Sequence, residues 1–172
     1  MGGLLVVMAF KFNVAFGDDM SSEFNLPRQG ARFARGTTTL NNTFLVSPTG
    51  GVFEVKGPDK TIERISVKVP PNAVSKETQI SIGFNNGTFL PVRGKASGYV
   101  IVIDAQGVQA FQQAVEVSVL NSQSIQEGVP VGFSIEDDNK IKLIDSVYDK
   151  GSGNISFFSF RPMMFTWVYT KA

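Results

Sequence analysis

The run Ile65-Ser-Val-Lys-Val-Pro-Pro-Asn-Ala-Val-Ser-Lys-Glu-Thr-Gln-Ile-Ser-Ile82 writes two β-strands around a rigid corner. Ile65, Val67 and Val69 alternate with Ser66 and Lys68, a period of two that sets one side of the strand in a core and the other in water. Pro70 and Pro71 then remove two successive backbone donors and end ladder pairing. Thr78, Ile80, Ile82 and Phe84 resume the alternation. Half-buried strands on both sides of a corner constrain the chain to antiparallel β-structure.

Similar runs recur from Thr43 onward with turn residues between them, at 43–46, 51–55, 65–69, 78–84, 99–103, 115–120, 131–136, 141–146, 155–160 and 165–169. Roughly ten short strands at this spacing predict an all-β fold, an antiparallel β-sandwich, with no amphipathic helix. Tyr99-Val-Ile-Val-Ile103 is apolar throughout, as a central strand covered on both faces requires. Glu136-Asp-Asp-Asn-Lys140 and Asp149-Lys-Gly-Ser-Gly-Asn154 are expected to be hairpin turns, and Asn86-Gly87 carries the same signal. A calcium loop is the sharper alternative for 136–140, but the glycine and the ligand spacing of such loops are missing.

The first residues differ from the rest. Leu4 to Phe10 is an apolar run of signal-peptide length, too short to span a bilayer, and Ala15-Phe16-Gly17 offers the small residues of a cleavage site at Ala15 and Gly17. No Lys or Arg precedes the run and Lys11 follows it, so the alternatives are a start further upstream or a buried first strand. The expected organisation is a signal peptide over 1–17, a linker or flexible arm over 18–42, and the sandwich over 43–172. Export to the periplasm, cell surface or medium follows from that signal. Arg28, Arg32 and Arg35 lie in the arm, where a solvated role is expected over contact with a phosphate or carboxylate partner.

The inventory of reactive groups is short. Cysteine and histidine are both absent, which removes the thiolate nucleophile, the commonest general base and the commonest metal ligand. Sixteen basic side chains against fifteen acidic ones leave no electrostatic footprint for nucleic acid. No spacing pairs a Ser, Thr or Asp nucleophile with a base, so no enzymatic activity, metal or cofactor is expected.

Gly50-Gly51-Val-Phe-Glu-Val, the Pro70-Pro71-Asn72-Ala73 corner and Tyr99-Val-Ile-Val-Ile-Asp-Ala-Gln-Gly-Val-Gln-Ala-Phe111 together resemble the ZU-type domain. That family occurs in ankyrins, netrin receptors and tight-junction scaffold proteins, with looser relatives among bacterial secreted and surface proteins. The resemblance covers about 50–169 and implies a β-sandwich that binds proteins rather than performing catalysis. Asp104-Ala105-Gln106-Gly107 stands where the family turn has Pro-x-Gly. Phe157-Phe158-Ser159 stands where the family has His-Phe-Ser, the strand at which some members cut their own backbone. A phenyl ring takes no proton, so Phe157, Phe158 and Ser159 read as a vestigial self-cleavage position, with Phe157, Phe158 and Phe160 expected to fill the core.

The expected function is an exported or surface module for protein interaction or structural spacing, with a protein partner and no membrane span. The alternative is a carbohydrate-binding module stacking sugars on Trp167, Tyr148, Tyr169 and Phe89. Against it, Trp167 alternates with Phe165 and Tyr169 as a core face does. Sequons begin at Asn41, Asn86 and Asn154, which accept glycans where a eukaryote exports the chain.

Overall fold

In the computed structural model, which describes residues 30–121 and 127–170, the Pro70-Pro71 corner carries the chain from one sheet to the other. Strand β4 (Arg64–Val69) ends at the corner and β5 (Thr78–Asn85) begins after it in the facing sheet. Asn72 takes φ 66° and donates its N–H to the Pro48 carbonyl at 2.7 Å. Ala73 and Val74 turn inward and plug that end of the core. Gly50 sits beside the corner at φ 79°, where a Cβ would meet the Val69 carbonyl oxygen at 2.2 Å. The double glycine and the double proline therefore form one device.

Fourteen strands are present among the described residues, with no helix. The remaining ones are β1 (Arg32–Ala34), β2 (Thr38–Val46), β3 (Gly51–Lys56), β6 (Thr88–Leu90), β7 (Lys95–Ala96), β8 (Ile101–Ala105), β9 (Val115–Leu120), β10 (Val129–Ile135), β11 (Ile141–Leu143), β12 (Ser146–Asp149), β13 (Asn154–Ser159) and β14 (Met163–Thr170). The larger sheet runs β11-β10-β14-β8-β5-β2, with β7 added to β14. The smaller runs β12-β13-β9-β4-β3, and every pairing is antiparallel. The predicted antiparallel sandwich is therefore present.

Alternation along the strands builds the core between the sheets. Ile65, Val67, Val117, Val119, Ile155 and Phe157 from the smaller sheet meet Ile80, Ile82, Ile101, Ile103, Phe165 and Trp167 from the larger one. The Phe157 ring lies 4.8 Å from Phe165 and 5.7 Å from Trp167. A Cβ on Gly132 would meet that ring at 2.8 Å, so Gly132 is the space Phe157 occupies. The predicted turns at 136–140 and 149–154 close the β10–β11 and β12–β13 hairpins. Asn139 supplies the left-handed residue of the first at φ 66°, and Gly153 that of the second at φ 80°.

β8 is covered on both faces, as its unbroken apolar run predicts. Ile101 and Ile103 face the sandwich core, whereas Val100 and Val102 join a second cluster with Phe33, Phe89, Ile135, Met164 and Val168. That second cluster is roofed by a two-stranded ribbon of β1 and β6, paired Arg32↔Leu90, Phe33↔Phe89 and Ala34↔Thr88.

Several expectations are corrected. The boundary expected at Thr43 falls inside β2, and pairing already begins at Arg32, within the stretch read as a linker or arm. Asn86-Gly87 is not a hairpin turn, because β5 pairs with β2 and β8 while β6 pairs with β1. The run expected over 141–146 divides into β11 and β12, which lie in different sheets. Phe157 fills the core, but Phe158 is half-buried and Phe160 is 63% exposed. Ala15 and Gly17, the apolar run 4–10 and Arg28 lie outside the described residues.

Candidate functional site

Two polar clusters tie loops to the rest of the fold. In the β3–β4 loop, Asp59 Oδ1 accepts from the backbone N–H groups of Thr61 (2.8 Å) and Ile62 (3.1 Å). Its Oδ2 accepts from the Tyr99 hydroxyl at 2.6 Å. The Tyr99 bond, helped by the backbone donors, holds the Asp59 carboxyl below its ordinary range. Burial, reinforced by Asp59, raises Tyr99. The Tyr99 ring stacks on fully buried Trp167 at 6.2 Å, and Trp167 Nε1 donates to the Tyr169 hydroxyl at 2.9 Å. A loop carboxylate is thus tied through aromatic rings to the centre of the sandwich.

The second cluster surrounds Glu136 at the end of β10. Burial pushes its carboxyl up, but the Ser134 hydroxyl (3.0 Å) and the Arg161 guanidinium bonded to it more than offset this, so it lies below its ordinary value. Arg35 reaches the same hairpin, donating from Nε to Asn139 Oδ1 at 3.0 Å and from a terminal nitrogen to the Glu136 carbonyl at 3.0 Å. Its guanidinium also lies 5.9 Å from the Phe33 ring centre. Arg35 and Arg32 are both exposed, as expected, but Arg35 also anchors the ribbon to the β10–β11 hairpin.

Phe157-Phe158-Ser159 sits in regular pairing with β9, Phe158 opposite Glu116 and Ser159 opposite Val115. Ser159 is buried, and its hydroxyl donates to the Arg161 carbonyl. That bond stabilises the β13–β14 turn and directs the proton to an amide oxygen, not to a base. Among the described residues no group of three or more acidic side chains is placed to hold a metal ion. Asp138 instead accepts from the Lys140 N–H at 3.1 Å, as a turn residue does.

None of the four rings offered for sugar stacking is exposed. Trp167, Tyr169 and Phe89 are buried and Tyr148 is half-buried. The Asn86 amide oxygen accepts the Thr37 N–H at 2.7 Å, and Asn154 is half-buried, whereas Asn41 is exposed.

Among the described residues nothing covers the outer face of the smaller sheet. The β1–β6 ribbon roofs the larger sheet over β8, β10 and β14, whereas the alternate residues of β3, β4, β9, β13 and β12 face outward in rows set by register. One row reads Val52, Lys68, Glu116, Phe158; the next reads Glu54, Ser66, Ser118, Ser156, Val147. Ser118 and Ser156 share a hydrogen bond at 2.8 Å. Val147, 58% exposed, and Phe158 lie diagonally across β12 and β13, with exposed Phe160 two residues further on. This polar face with an apolar corner is the candidate binding surface. Sequence reasoning missed it because aromatic character points Phe158 and Phe160 to the core, whereas the period of two sets them on the face opposite Phe157.

No helix among the described residues is long and apolar enough to cross a membrane. Comparison with protein-family models and with curated proteins returns no match.

Proposed function

We propose that this chain is a non-enzymatic module for protein interaction or structural spacing, exported or displayed at a surface. The observation that carries it is a contrast among the described residues: the larger sheet is roofed by the chain itself over β8, β10 and β14, whereas the outer face of the smaller sheet is left open with Phe158, Phe160 and Val147 at its corner. Exposed apolar side chains rimmed by charge mark docking surfaces. The resemblance to ZU-type domains supports the same reading. The carbohydrate alternative loses the rings on which it was built, since they serve the two cores.

The test is capture on immobilised protein from the native compartment, followed by direct titration of the purified partner against wild type and Phe160→Glu. A loss of about tenfold or more, the effect of removing roughly 1.4 kcal/mol of contact, is expected. Equal binding by both proteins moves the site elsewhere, and retention on an insoluble polysaccharide restores the carbohydrate reading.

A further inference from the structure

Among the described residues the two sheets end in four edge strands, β2, β11, β3 and β12. An unpaired edge is a template for another strand, and proteins blunt such edges with charge, proline or brevity. β3 carries Glu54 and Lys56, with Glu54 paired to Arg64 at 3.8 Å. β11 is three residues long with Lys142 at its centre, and β12 is four residues long and ends at Asp149. β2 differs from all three. It has nine residues with no charge and no proline, inside an uncharged stretch from Gly36 to Phe53. Leu45, on its outward face, is 59% exposed. Its one irregularity is the register shift between Leu40 and Asn42, which leaves Asn42–Val46 as a regular run.

We propose that this run is a self-recognition edge, on which a second copy of the chain adds its own β2 antiparallel and joins the two larger sheets. The inference rests on the reading of the chain as an interaction module and names one partner for it. A neutral edge gives a charged peptide nothing to read, whereas two identical neutral edges meet without like-charge repulsion. A two-fold axis at Phe44 sets Thr43 of one copy opposite Leu45 of the other. Both project from the outer face, because their partners in β5 are Ser81 and Gln79, outside the inward row of Thr78, Ile80 and Ile82. Five paired residues per copy form a small interface beside the usual ~1,600 Å², so the dimer is weak and concentration-dependent.

Sedimentation equilibrium of the whole chain, taken up to about 1 mM, is expected to show reversible dimerisation. Leu45→Lys, at an exposed position, is expected to weaken it tenfold or more while leaving the melting temperature unchanged. The chain has no cysteine, so Thr43→Cys and Leu45→Cys report register without interference. Mixed, they are expected to form the heterodisulfide in preference to either homodimer. A wild type that stays monomeric throughout, a dimer indifferent to Leu45→Lys, or no preference for the mixed disulfide overturns the proposal. Capture of another protein by a strictly monomeric wild type removes self-recognition alone; self-association without any such partner removes the wider reading and leaves this edge.

Discussion

Asn85 holds Gly36 as a neighbouring strand would: its Oδ1 accepts the Gly36 N–H at 2.9 Å while its Nδ2 donates to the Gly36 carbonyl at 3.1 Å. The same side chain accepts the Gly87 N–H at 2.8 Å and donates to Thr38 Oγ1 at 2.8 Å. One buried amide thus satisfies backbone groups on both sides of the step between the ribbon and β2. Asn85→Leu leaves those groups without partners, and a loss of about 2–3 kcal/mol is expected in denaturant unfolding. A loss below about 0.5 kcal/mol means that water replaces the amide at no cost.

The ribbon makes the segment before Thr43 part of the folded unit. A chain begun at Thr43 loses the Thr38–Leu40 pairing with β5 and uncovers Val100, Met164 and Val168, so a lower melting temperature and dye binding to exposed apolar surface are expected. Phe33→Ala tests the roof alone, with an expected cost of about 3 kcal/mol for a buried phenyl ring. Unchanged unfolding of the shortened chain places the ribbon outside the cooperative unit.

Ile101 is fully enclosed and its strand is packed on both faces. Ile101→Ala is expected to cost about 2–5 kcal/mol, the transfer term plus the cavity. Calorimetry or urea unfolding reads this directly. Less than about 1 kcal/mol places the strand at the surface.

Stability is expected to be flat near neutral pH, because no histidine or cysteine titrates there. Asp59, Glu136 and Asp149 are all depressed in the folded state. Their stabilisation is complete above the ordinary carboxylate range of about 4 and is lost as pH falls through the lower folded values. Tyr99 is raised above its ordinary 10.0, so its contribution is complete below that pH and is lost as pH rises through the higher folded value. Melting temperature measured from acid to alkali should show both slopes. Asp59→Asn is expected to flatten part of the acid slope, and an unchanged slope assigns it to other carboxylates.

The chain is expected to remain intact between Phe158 and Ser159. The Ser159 hydroxyl donates to a carbonyl, and Phe157, beside it in sequence, is an apolar core residue. Mass spectrometry after prolonged incubation checks this: a fragment pair broken before Ser159 and abolished by Ser159→Ala shows that another group supplies the base.

Where alternation ran unbroken, the sequence was read correctly. β4, β5 and β9 carry it without interruption, β8 was legible from its continuous apolar run, and the Asp- and Asn-rich turns flank strands that are true neighbours. Reading failed where the period was too short or was broken. β1 has one inward residue, Phe33, and three residues define no period. The Leu40–Asn42 shift disrupts the alternation of β2, which hid its first half. Asn86-Gly87 has the chemistry of a hairpin, but the strands it joins find other partners, and pairing between distant strands leaves no local signature. The polar clusters were invisible for the same reason, since Asp59 and Tyr99 are separated by forty residues and Arg35 and Glu136 by over a hundred.

The place of β14 between β8 and β10 sets the order of assembly during synthesis. β8 and β10 leave the ribosome earlier, yet the strand that joins them spans Met163–Thr170. Until it emerges, the larger sheet is two separate pieces and Trp167 has not entered the core. Such non-local pairing is slow to form. Completion of the larger sheet is therefore tied to the emergence of Thr170.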